Sequence, residues 1–214
     1  MSDPTVHAAD PASTDTSVLT LGVTAALVGE YRWIESTLYA TLGSWVVDMP
    51  IPAVQLQVDA QSMRHGWHAE LWAERLPVLA GVDAERLSVP SRPAQALFAA
   101  LEGDDLGGGE GPPGALPRLA ALYRVVLPRL VTSYVRHLRV ASPITDAPVA
   151  RALRLVLNDE TEDWQAGERL VQRLVTRPHD VEAVYQFQQR LESVVVAAGA
   201  RQGLVAFPDT VPLD

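Results

Sequence analysis

Two residue types are missing from this 214-residue chain altogether. It has no cysteine, which excludes disulfides, thiolate metal sites and a cysteine nucleophile. It has no lysine either, so all 17 basic residues are arginine, a pattern we attribute to a GC-rich coding sequence rather than to mechanism. No apolar run approaches the ~18 uninterrupted residues of a membrane span. The start, Met1-Ser-Asp-Pro-Thr-Val-His7, lacks a basic stretch followed by an apolar one. A signal peptide is therefore not expected, and the cytoplasm is the expected location. The formal charge of −9 argues against a nucleic-acid binder, which normally carries a basic face. No strand-type alternation and no internal repeat stand out. The glycine-rich stretch 103–114 is not followed by Gly-Lys-Ser/Thr, so it is not a phosphate-binding loop, and no nucleotide cofactor is expected.

Apolar residues make up 48% of the chain and charged residues 20%, the balance of an ordinary globular protein large enough for one substantial core. We read residues 1–16 as a disordered tail, 17–200 as one helical domain and 201–214 as an extended tail. Helical spacing of Leu21, Ala25, Val28, Trp33, Leu38, Leu42 and Trp45 predicts a first long helix over about 18–47, capped by Thr16 or Ser17 and bent near Gly29. Asp48-Met-Pro-Ile-Pro52 breaks it. A second helix is expected over about 53–79, antiparallel to the first. Residues 80–116 form a long crossover with one short helical piece, Pro93–Leu101. A third helix is expected over 117–140, kinked at Pro128. A fourth is expected over 149–176 with Asp146 or Thr145 as cap, and a fifth over about 180–198.

The residues with chemistry cluster on two of these helices. His65 and His68 are three apart, one turn along a single helix face. Glu160 and Asp163 repeat that spacing downstream. Glu35 lies 15 residues before Pro50 and His65 lies 15 after it. In antiparallel helices the two therefore sit at one height. Glu160 lies 16 residues beyond Ile144 and Asp163 lies 19, similar distances from the second turn. Glu35, His65, His68, Glu160 and Asp163 thus make a candidate metal set. Two imidazoles with carboxylates suit iron, manganese or zinc. Two histidines and one carboxylate are also the ligand count of mononuclear oxygenase iron sites.

The order of helices and these stretches resemble the ferritin-like superfamily of rubrerythrins and ferritin-like hydroxylases. The resemblance covers about 17–176. It implies an all-α four-helix bundle with a long crossover between helices 2 and 3, here with an extra C-terminal helix. His68-Ala-Glu-Leu-Trp-Ala-Glu-Arg-Leu76 looks like the stretch starting at the family's helix 2 histidine. Asp159-Glu160-Thr-Glu-Asp163 looks like Asp-Glu-x-x-His, with Asp163 in place of the histidine. His65 stands where the family has Glu, and the helix 3 Glu is missing. The resemblance implies iron or manganese and an oxidoreductase acting on O₂ or peroxide. The competing expectation is a non-catalytic bundle. In it the histidines pair with buried carboxylates, Glu160 and Asp163 pair with Arg124 or Arg129, and the protein binds a partner. A homodimer through apolar helix faces is expected under either reading, with no nucleic-acid or membrane partner. Tyr123, Tyr134, Trp67, Trp72 and Trp164 are read as packing residues, and Asp159 and Glu162 as solvent-facing.

Overall fold

The computed structural model describes residues 19–78, 83–103, 114–200 and 202–208. The expected tail 1–16, its caps Thr16 and Ser17, most of the glycine-rich stretch and the last six residues lie outside these. The described residues are helical, with no strand among them. None of their helices is long and apolar enough to cross a membrane.

Helix α1 spans Leu21–Trp45, and Thr20 caps it by accepting a hydrogen bond from the Val23 amide at 3.3 Å. A 3₁₀ turn, Val46–Asp48, ends it. α2 spans Pro52–Ala73, with proline in the first turn where no amide partner is needed. It stops six residues short of the expected end. Pro77 explains this: it has no amide to donate, and its ring disfavours helical geometry at Leu76.

The crossover contains two short helices, α3 at Ala84–Leu87 and α4 at Arg92–Glu102, where the sequence suggested one. α1 holds it in place. A Cβ at Gly29 would fall 1.9 Å from the Leu87 carbonyl oxygen, so glycine admits the α3 backbone directly onto α1. Next to it, Glu30 accepts from the Ser91 amide at 3.1 Å, and Arg32 donates to Ser88 Oγ at 3.0 Å. Gly29 therefore serves contact, and α1 runs through it as one helix.

α5 (Ala115–Ala121), a π turn (Leu122–Val126) and α6 (Leu127–Val140) follow one another directly. The kink expected at Pro128 takes the form of this π turn. Pro128 cannot donate to Arg124, and the chain absorbs the loss by widening, so that the Leu127 amide reaches back to the Leu122 carbonyl. α7 spans Ala147–Leu174 and α8 spans Pro178–Ala197. Asp146 occupies the cap position of α7, but its carboxylate accepts from the Ser142 amide in the preceding turn at 2.8 Å. Beyond α8 the chain returns to α6. Leu204 and Val205 amides donate to Ser133 Oγ at 2.8 and 3.1 Å, and Arg129 donates to the Gly203 carbonyl.

Side-chain pairings fix the helix directions. Arg64 meets Asp163 and His68 meets Asp159, so α2 and α7 run antiparallel. Tyr123 meets Gln61 and Tyr134 packs on Trp72, so α2 and the α5–α6 rod run parallel. The short connections make α1–α2 and α6–α7 antiparallel. Two parallel rods need a connection that returns along the bundle, and 74–114 is long enough to supply it. The core runs down the centre through Tyr31, Ile34, Leu38, Leu42, Val58, Trp72, Leu122, Leu127, Tyr134, Leu153 and Val156.

Two positions give testable consequences. A Cβ at Gly167 on α7 would lie 2.0 Å from the Tyr123 ring. Gly167→Ala is expected to destabilise the fold by about 1–3 kcal/mol through overpacking, read as a lower urea midpoint. His137 is fully buried and neither ring nitrogen has a partner. Burial holds its imidazole down at about 4, with Asp146 opposing only weakly. In the unfolded chain it titrates near ~6.5. The unfolded state therefore binds more protons between those values, and stability falls as pH drops through that window. His137→Leu is expected to lose less stability than wild type between pH ~7 and ~4.5, by up to about 3 kcal/mol in urea titrations.

Candidate metal centre

Four of the five side chains singled out from the sequence meet at mid-bundle. α1 supplies Glu35, α2 supplies His65 and His68, and α7 supplies Glu160. One donor atom from each lies within 4.8 Å of the other three. His65 Nδ1 is 2.6 Å from Glu35 Oε2 and 3.2 Å from Glu160 Oε1. His68 Nδ1 is 3.2 Å from Glu160 Oε1 and 3.6 Å from Glu35 Oε2. All four residues are at most 1% exposed. The equal offsets of Glu35 and His65 from the first turn thus correspond to a direct contact.

Asp163 is not in the group. One turn beyond Glu160, its Oδ1 accepts a hydrogen bond from Arg64. Burial holds its carboxyl above the usual range, against the pull of Arg64. The arginines expected to neutralise Glu160 and Asp163 are engaged elsewhere. Arg124 forms a bidentate pair with Glu168 at 2.8 and 2.9 Å, and Arg129 pairs with Glu192. Among the described residues no arginine is paired with the four donors.

Supporting contacts lie around the donors. Asp159 Oδ2 sits 3.3 Å from His68 Nε2, leaving Nδ1 to face the centre. Its side chain is 30% exposed, and it turns inward where the sequence suggested solvent. Glu162 is exposed, as expected, and accepts from Asn158. α6 contributes no carboxylate. Its Tyr134 hydroxyl donates to Glu35 Oε1. Behind it, Tyr31, Trp72 and Tyr134 pack with ring centroids 4.7–5.8 Å apart. Trp67 instead faces outward and is 47% exposed. Three residues that matter here carried no separable signal in the sequence. Arg64 is one of many surface-type arginines, Asp159 reads as the outer neighbour of Glu160, and Tyr134 counts as closer to the turn than Glu35.

Electrostatics and unmet hydrogen bonds point to the same use. Burial alone would lower both imidazoles, but Glu160 and Glu35 raise His65 to about 10, and Glu35 with Glu160 raises His68 to about 11. Burial would raise Glu35, yet His68 and His65 hold it at about 2. Two carboxylates and two imidazolium ions are together neutral. One divalent cation with two neutral imidazoles gives the same total. The donor group could hold such a cation. His68 Nδ1 and Glu160 Oε1 face each other at 3.2 Å without hydrogen-bond geometry, and Glu160 Oε2 is buried with no partner, which costs roughly 1–3 kcal/mol. Donors on metal bonds of ~2.1 Å lie about 3 Å apart when adjacent and about 4 Å when opposite. Three of the contacts, at 3.2, 3.2 and 3.6 Å, fall in that range, and the Glu35–His65 contact at 2.6 Å would have to open by a few tenths of an ångström.

Exchange of two protons for one cation has a measurable signature. Binding of Mn(II) at neutral pH is expected to release about two protons. Calorimetry in buffers of different ionisation enthalpy measures this directly. Because the protons leave on binding, affinity rises with pH, by about a hundredfold per unit while both imidazoles are charged beforehand.

Scans against family models, curated proteins and solved structures found no match to this chain.

Proposed function

We propose that this chain is a ferritin-like metal protein in which Glu35, His65, His68 and Glu160 hold one divalent first-row ion, iron or manganese. Its activity on this reading is that of an oxidoreductase using O₂ or a peroxide. The observation that carries the proposal is the convergence of four buried donors, three of whose polar atoms have no other partner. The helix directions, with donors drawn from α1, α2 and α7 at mid-height, support the family assignment.

The ion would supply a Lewis-acid and redox centre. The protein's part is to hold and shield it. Asp159 fixes the His68 ring so that Nδ1 faces inward, the arrangement that raises ligand basicity. Tyr134 holds one oxygen of Glu35 and leaves Oε2 on the donor side. The donors have almost no contact with bulk water. Direct reactants are therefore limited to molecules the size of O₂ or peroxide, and reactive products are kept from adventitious water.

A second reading has one observation in its favour. The Glu35–His65 contact is a good hydrogen bond as it stands, and the four charges already cancel. Such a centre would be a structural ion-pair network in a partner-binding bundle. Metal content decides between the two. Protein purified without chelators is expected to carry about one Fe or Mn per chain by elemental analysis, and His65→Ala/His68→Ala protein none. A metal-free protein whose unfolding midpoint ignores both added Mn(II) and chelator supports the structural network and removes the enzyme reading.

A further inference from the structure

Asp163 was singled out by its spacing from Glu160, yet it lies outside the donor group. It lies on the seam between α2 and α7. The side chain of Arg64 on α2 is 36% exposed, that of Asp163 is 9% exposed, and the two are hydrogen bonded. One turn along the same seam, His68 meets Asp159. The second oxygen of Asp163, Oδ2, is buried with no partner, and so is Oε2 of Glu160 one turn back on α7. A polar file therefore runs inward from the surface: the Arg64 guanidinium, then Asp163, then Glu160, then the imidazoles. A purely structural salt bridge has no use for a dry second oxygen, which only adds to the cost of burying the carboxylate. Toward α6, by contrast, Tyr134, Trp72 and Tyr31 wall the centre with packed rings.

We propose that the α2/α7 seam is the route by which the cation reaches the centre, with Asp163 as a transit ligand and Arg64 as its plug. This rests on the metal reading above. In the closed state the guanidinium occupies one oxygen of Asp163 and repels an approaching cation. Its long, partly exposed stem lets the head swing into water without moving α2. The cation then meets Asp163, passes to Glu160 and settles among the four donors. Asp159, partly exposed one turn away, adds negative charge to the mouth. Because Arg64 and Asp163 act on the passage and not on the seated ion, they set rates of entry and release together and leave affinity nearly unchanged.

The test is stopped-flow loading of the metal-free full-length chain with Co(II), an ion that takes the same nitrogen and oxygen donors and reports binding by its visible absorption. Arg64→Met keeps the apolar stem and removes the charge. It is expected to speed both loading and chelator-driven release by about tenfold or more, the scale of a local charge effect on cation encounter, with little change in the equilibrium constant. Asp163→Asn is expected to slow both by a similar factor and to bind the same amount of Co(II). Arg64→Gln, which still donates to Asp163 without the charge, provides a second check should the Met variant fold poorly, and is also expected to load faster. Wild-type protein that binds no Co(II) overturns the metal reading itself. Normal binding with unchanged rates in folded Arg64 and Asp163 variants overturns the route alone, as does a loss of Co(II) stoichiometry in Asp163→Asn, which makes Asp163 a permanent ligand.

Discussion

Two glutamates and two histidines are sealed in a dry interior, and much of the structure follows from what that demands. An isolated charge there would be prohibitively costly. The four groups can lie together only if they cancel one another or share a cation. Either solution requires α1, α2 and α7 to present their polar residues at one height. The rods must therefore be straight and in register through the middle of the bundle, and irregular features are displaced elsewhere. The π turn caused by Pro128 ends at Val126, before Tyr134 enters the centre. The contact at Gly29 and the Glu30–Ser91 bond hold the crossover on the outer side of α1. On the inner side, Tyr31, Ile34, Glu35 and Leu38 are left to the core.

The wall of the centre is asymmetric, and the asymmetry separates its tasks. On the α6 side there are rings, with one hydroxyl spent on Glu35. On the α2/α7 seam there are charges arranged as facing pairs, Arg64 with Asp163 and His68 with Asp159. The aromatic side excludes water and resists deformation, because stacked buried rings leave little free space. The charged side can open when an incoming cation replaces the guanidinium, because the 9%-exposed Asp163 carboxylate would otherwise be left unpaired. Rigidity and access are thus assigned to different helices.

Long helices, their order and the heights of Glu35, His65, His68 and Glu160 were legible in the sequence because they depend on local rules. Apolar spacing, proline breaks and a fixed rise per residue are properties of single segments. What was not legible depends on which way side chains turn after the helices pack. Asp159 and Asp163 have the same chemistry and lie four apart, yet one supports a histidine and the other pairs with an arginine. Arg124 and Arg129 were close enough in height to neutralise Glu160, but Glu168 and Glu192 claim them. The additional crossover helix, α3, is four residues long and lies against α1 at Gly29, a contact between distant segments. Helix 2 was drawn too long because its apolar spacing outran its backbone, which Pro77 had already limited.

The missing carboxylate on α6 bears on how many ions the centre can take. Three or more buried carboxylates would leave a net negative charge after one divalent ion and would invite a second. Here Glu35 and Glu160 are the only carboxylates in the donor group. Asp163 is committed to Arg64 and Asp159 to His68. The α6 side contributes a phenol whose ionisation burial strongly opposes, as do Glu35 and Glu160 beside it. Two negative charges balance one divalent ion and fall well short of balancing two. On the metal reading, two carboxylates make this a single-ion centre. Its second carboxylate, Glu160, presents Oε1 to both imidazoles and keeps Oε2 buried and unpartnered, free for an arriving ion.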